Sequence, residues 1–122
     1  MNPAPRVIAF DFDGVISQTN GFVHHFHSDE PNPKVVEAIK KLRAKGNLIL
    51  IHTTRGDDFV RGYCEAHGIP FDYINRRPDV EGENPGKPIA SVYVDDRALT
   101  YRDQDTDALV DEIERFKPYW QE

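Results

Sequence analysis

Val7-Ile8-Ala9-Phe10-Asp11-Phe12-Asp13-Gly14-Val15-Ile16 is the stretch whose reading decides the fold. Four apolar residues, the first two β-branched, run directly into two carboxylates separated by one aromatic ring and closed by a glycine. Such a run reads as a strand buried on both faces, the kind found at the centre of a parallel sheet. The acids then stand where the strand ends. In open α/β sheets ligands bind outside the carboxyl ends of the strands, so Asp11 and Asp13 are placed for chemistry. Strand alternation sends both side chains to one face, whereas a turn at Gly14 rotates the second away and leaves its carbonyl pointing inward. The blander alternative is an Asp11 that caps a turn and an Asp13-Gly14 turn pair.

Working outward, Leu48-Ile49-Leu50-Ile51 is a second fully apolar strand, and it runs into His52-Thr53-Thr54-Arg55-Gly56. Ala90-Ser91-Val92-Tyr93-Val94 is another, and it delivers Asp95-Asp96-Arg97. Between the first two strands a helix opens with Asn32 as N-cap and Pro33 at the first helical position, and Gly46 ends it. Its Val35, Val36, Ile39 and Leu42 form one apolar stripe. Asp57 or Asp58 caps a second helix, in which Phe59, Val60, Tyr63 and Cys64 repeat at helical spacing until Gly68. Pro70 to Ile74 reads as a short strand near an edge, Asn75 to Pro88 as a loop, and Leu99-Thr100-Tyr101 as a short further strand. Asp105 or Thr106 caps the last helix, with Leu109, Val110, Ile113 and Phe116 on its inner face and Pro118 closing it. The alternation predicts one α/β domain over residues 1–122. Its expected form is a three-layer, Rossmann-like, doubly wound and mostly parallel sheet of about five strands with right-handed crossovers.

A chain of 122 residues with 39% hydrophobic and 30% charged residues suits a single globular domain. Its net charge of -6 argues against a surface built for polyanions, whose affinity comes from neutralising phosphates with Lys and Arg. Cys64 is the sole cysteine, which excludes an internal disulfide and a thiolate metal cluster and reads as a small buried apolar residue. Residues Met1 to Arg6 carry no apolar leader, and no run is long enough to span a membrane, so a cytoplasmic protein with no membrane partner is expected. Ser17 to Glu30 reads as a loop or flap over the strand ends. Its His24, His25 and His27 are more economically surface or substrate-contact residues than a dedicated metal site.

Three apolar strands thus end in polar sets: Asp11 with Asp13, Thr53 with Thr54 and Arg55, and Asp95 with Asp96. If the strands are parallel, these groups meet at one sheet edge. Carboxylates gathered in one crevice repel one another unless something positive joins them. A hard divalent cation with oxygen ligands, Mg²⁺ above all, fits that need, and Lys87 offers a second positive charge. The Thr53 hydroxyl and nearby amides suit phosphate oxygens, so the parts describe phosphoryl chemistry.

The order Asp11-x-Asp13-Gly-Val, a strand ending in Thr53, then Lys87, then a strand ending in Asp95-Asp96 resembles the four motifs of the haloacid dehalogenase-like phosphohydrolases. The likeness runs from about Val7 to Arg97, and the first motif is its most specific part. The resemblance implies that Asp11 is the nucleophile forming an aspartyl-phosphate. Asp13 would be general acid toward the leaving oxygen and then general base for the hydrolytic water. Mg²⁺ would be held by Asp11, the Asp13 carbonyl and Asp96, with Asp95 in support. Thr53, with Thr54 beside it, would bind the phosphoryl group, and Lys87 would neutralise Asp11 and the phosphoryl oxygens. Arg55 and Arg97 are candidates for substrate contacts or structural ion pairs.

An acid two residues after the nucleophile favours phosphatase over dehalogenase within that superfamily. Gly14 to Pro31 and Asn75 to Gly86 are both too short for a cap domain, so the resemblance implies a small capless member with an open site. Such members take macromolecular substrates or complete their pocket by oligomerising, and His24, His27, Arg76 and Arg77 are the residues available for recognition. A phosphorylated small molecule is the expected substrate. Rival expectations are a polynucleotide end phosphatase, which also ends a motif in Asp-Asp-Arg, and a phosphate-binding module without turnover. A signalling receiver domain is disfavoured, because its phosphorylated aspartate ends a middle strand where this chain has His52-Thr53-Thr54.

Overall fold

The apolar run at Val7 becomes strand β1 (Val7–Asp11), and Val7, Ile8, Ala9 and Phe10 are all buried, as a central strand requires. The structure, a computed structural model, describes residues 5–18, 30–80 and 86–119. Beside β1 lie β2 (Leu48–His52) and β4 (Val92–Val94), and β3 (Tyr73–Ile74) completes the sheet in the order β3-β2-β1-β4. All pairings are parallel, with Phe10 opposite both Ile51 and Val94 and Asp11 opposite His52. Parallel pairing puts every strand's carboxyl end on one edge.

Three helices connect and follow the strands: α1 (Pro33–Ala44), α2 (Asp57–His67) and α3 (Thr106–Arg115). The α1 start is as the sequence predicts, with the Asn32 side chain accepting from the Lys34 N–H at 3.0 Å and proline in the first turn. Gly46 lies just past the Lys45 C-cap with φ 94°. At α2 the N-cap is Gly56 rather than Asp57 or Asp58, and both acids stand in the first turn, where the helix dipole favours them. Asp105 caps α3 by accepting from the Ala108 N–H at 2.9 Å.

The two sheet faces are covered differently. Ile39 of α1 and Val60 and Cys64 of α2 pack with Ile8, Phe10, Ile49, Ile51 and Ile74, so both helices share one face. On the other face Val7, Ala9 and Leu50 form a smaller cluster, with Leu48, Tyr73 and Ala90 packed beside it. There the Arg77 guanidinium lies 5.6 Å over the Tyr73 ring, and its Nη1 donates to the Ile89 carbonyl. From β1 the chain steps through α1, β2 and α2 to β3 in one direction, whereas β4 pairs with the free side of β1. The strand order therefore reverses between β1 and β4, the switch point at which open α/β sheets bind ligands.

The molecule is a Rossmann-like α/β domain, and no segment among the described residues forms a cap. The sheet has four strands among the described residues where about five were expected. Leu99-Thr100-Tyr101 pairs with no strand, because the Thr100 carbonyl accepts from the side chains of Arg102 (3.1 Å) and Gln104 (3.4 Å), which fold that segment back on itself. The strands expected at Pro70 to Ile74 and Ala90 to Val94 shrink to two and three residues. Ahead of β3, the Asp72 carboxylate accepts the Ile49 N–H at 2.8 Å. The apolar stripe of α3 was expected to face inward, yet Val110 and Ile113 are exposed, and α3 approaches none of the other strands or helices. No helix among the described residues is long and apolar enough to cross a membrane.

Candidate active site

Asp11 is the last residue of β1 and Asp95 follows β4, so the switch point brings their carboxylates together from neighbouring strands. With Asp96 they form a triad in which one carboxylate oxygen from each residue lies within 4.8 Å of the other two. Asp96 is buried, and its Oδ2 is 4.0 Å from the Arg97 guanidinium. The Asp95 Oδ1 accepts the Arg97 N–H at 2.7 Å, which orients that exposed carboxylate.

Burial, a hydrogen bond to Asp96 and repulsion from Asp95 and Asp96 together push the Asp11 carboxyl up from 3.8 to about 8. The Phe12 N–H, 2.9 Å from Asp11 Oδ1, works weakly the other way. Three carboxylates that each bring an oxygen this close together could hold a metal ion.

Past Asp11 the chain turns tightly. Phe12 is fully buried, with its ring edge-on to Tyr63 at 4.8 Å and Phe59 at 6.0 Å, so the neighbouring acids are fixed by a packed aromatic between them. Gly14 takes φ 83°, a conformation only glycine adopts freely, and its N–H donates to the Ser17 carbonyl at 3.0 Å. The Tyr119 hydroxyl donates to the Gly14 carbonyl at 2.9 Å, pinning the turn from the far end of the chain. Asp13 emerges half-buried, and both its oxygens accept from Arg55: Nε to Oδ2 and Nη2 to Oδ1, each at 3.0 Å. That pair raises the Arg55 guanidinium further above its ordinary value.

The end of β2 supplies Thr53. Its N–H donates to Asn75 Oδ1 at 2.8 Å, and its hydroxyl oxygen accepts the Arg55 N–H at 3.1 Å. The Asn75 amide also donates to Asp57 Oδ1 at 3.0 Å, tying the ends of β2 and β3 to the first turn of α2. Asn75 does this with φ 61°, a left-handed conformation that asparagine tolerates.

These groups line a cleft of about 810 Å³ running along the carboxyl edge. Its wall includes Asp11, Asp13, Thr53, Thr54, Arg55, Arg76 and Asp95, with Asp96 buried beside it. Lys87, expected opposite Asp11, is not part of that wall. Its ammonium lies 4.7 Å from the Tyr93 ring centroid, although Gly86 next to it does border the cleft. His24 and His27 lie outside the described residues. Sequence reasoning missed Asn75, Asp57 and His52 as wall residues. An asparagine directly after a short strand was the one signal available for Asn75, since it suits a left-handed turn.

Similarity to known proteins supports the fold alone. The structure is similar to that of a conserved protein coded by a locus from Bacteroides thetaiotaomicron, with a TM-score of 0.63, 23% sequence identity, and coverage of 97% of this chain and 99% of that one. No protein-family model matches the chain. No curated protein matches it either.

Proposed function

We propose that this chain is a Mg²⁺-dependent phosphohydrolase of the haloacid dehalogenase-like type, hydrolysing a phosphate monoester of a small molecule through Asp11. The reading is carried by one observation: Asp11, Asp95 and Asp96 converge within 4.8 Å at the switch point of a parallel sheet, with Thr53 on the adjoining strand end. The cleft volume of about 810 Å³ lies within the usual range for small-molecule pockets. The net charge of -6 favours such a substrate over a nucleic-acid end.

In this mechanism an Asp11 oxygen attacks phosphorus in line, the bond from phosphorus to the leaving oxygen breaks, and an aspartyl-phosphate results. Asp13 gives a proton to the leaving oxygen and then takes one from the water that attacks the aspartyl-phosphate, releasing phosphate and restoring Asp11. Thr53 already accepts at its hydroxyl oxygen and has its N–H engaged, which leaves the hydroxyl hydrogen to donate to a phosphoryl oxygen. Mg²⁺, held by Asp11, Asp95 and Asp96, would neutralise charge on the carboxylates and on the phosphoryl oxygens. Lys87 joins by leaving Tyr93, an exposed cation–π contact worth only about 0.5–1 kcal/mol and easily outweighed by a phosphoryl dianion.

The test is hydrolysis of a panel of sugar phosphates, nucleotides, aryl and acyl phosphates and end-phosphorylated oligonucleotides, in Mg²⁺ and in EDTA. The expected result is metal-dependent turnover that Asp11→Asn lowers by orders of magnitude. Equal turnover in Asp11→Asn, or none across the panel, would overturn the reading.

A further inference from the structure

The four carboxylates at the ends of β1 and β4 fall into two groups. Asp11, Asp95 and Asp96 cluster together, whereas Asp13 is countered separately by Arg55 through two hydrogen bonds of 3.0 Å each. A guanidinium that engages both oxygens of a carboxylate fixes its rotation as well as its position, which a single-point ammonium does not. Arg55 is itself held from two further directions. Its guanidinium carbon lies 5.0 Å over the Phe59 ring, which packs edge-on against Phe12, and its N–H donates to Thr53 Oγ1. One side chain thus ties the turn after β1 to the end of β2. The side of the guanidinium formed by Nε and Nη2 is thereby committed to Asp13 before any substrate is bound.

We propose that Arg55 is a positioning residue, setting the orientation of the Asp13 carboxylate relative to Asp11 before substrate arrives, and is not a clamp on the phosphoryl group. This rests on the phosphohydrolase reading above. A misplacement of about 1 Å in a proton-transfer group is enough to lower turnover about 100-fold without weakening substrate binding.

The experiment compares wild type, Arg55→Lys, Arg55→Gln, Asp13→Asn and the double variant Arg55→Gln/Asp13→Asn on p-nitrophenyl phosphate, with Mg²⁺ binding followed by calorimetry. Arg55→Gln should lower kcat about 10- to 100-fold with KM within about two-fold of wild type, and Arg55→Lys should fall between them. The double variant should be no slower than Asp13→Asn alone, because two residues acting through one group are not additive. A further variant, Arg55→Ala, should lose kcat as Arg55→Gln does and regain part of it with methylguanidinium, and Mg²⁺ should bind every variant. A rise in KM with kcat preserved would put Arg55 on the substrate and overturn the proposal, as would losses that multiply in the double variant. These failures require an active wild type. Absence of wild-type turnover on the whole panel would instead remove the phosphohydrolase reading, and this proposal with it.

Discussion

Asp11 is where the forces on this molecule conflict most. It sits at the end of a buried strand because the apolar run before it fills the sheet centre, and there two more carboxylates meet it across the switch point. Burial and repulsion hold its carboxyl at about 8 against an ordinary value of 3.8, so without a cation the folded chain keeps a proton that the unfolded chain releases. The folded state then binds more protons between those two values, and stability falls as pH rises through that window. Melting in EDTA should show Asp11→Asn gaining on wild type from about pH 5 to about pH 8, and added Mg²⁺ should stabilise wild type at the upper end. A difference between the two proteins that does not change with pH would contradict this account. At the same scale, the pairing of Asp13 with Arg55 was not legible in the sequence. The residues are 42 positions apart, and spacing alone left Arg55 open between substrate and ion pair.

Elements were legible where local chemistry and tertiary packing agree. The runs at Val7 and Leu48 are apolar on both faces and became the two central strands, and Asn32-Pro33 opened α1 as side-chain capping dictates. Where backbone groups found local side-chain partners, the pattern misled, as at Leu99-Thr100-Tyr101. The end of α2 offers a clean test of local backbone chemistry. Gly68 has φ 67°, and an added Cβ would meet nothing within 4 Å. Gly68→Ala should therefore destabilise by about 1–2 kcal/mol through the left-handed backbone alone, measured by denaturant unfolding. An unchanged midpoint would mean that the residue relaxes out of that conformation.

At the scale of the whole molecule, the core belongs to the sheet and the two helices on one face of it. Ile51 is wholly buried, whereas Ile113 on α3 is 58% exposed although its helical spacing reads as an inner face. Periodicity shows that a helix has an apolar side, but not whether another element covers it. Ile51→Ala should lose about 2–5 kcal/mol of stability, and Ile113→Ala no more than about 0.5 kcal/mol. Comparable losses would show that α3 is packed in solution. The same whole-molecule view explains why the site was readable. Parallel strands carry their carboxyl ends to one edge, so Asp11, Thr53 and Asp95 had to meet once each strand was recognised. Lys87 lies on a connection rather than on a strand end, and its destination depends on the loop path.

Phosphorylation of Asp11 during turnover is the step on which the rest of the proposed chemistry depends. Acid-quenching the protein with Mg²⁺ and a turned-over phosphate ester, then locating the phosphoryl group by peptide mass spectrometry, tests it directly. The expected result is the group on the Asp11 peptide and none in Asp11→Asn. Steady turnover with no phosphoryl group on Asp11 under trapping conditions would contradict it, and would point to direct attack by water in the same cleft.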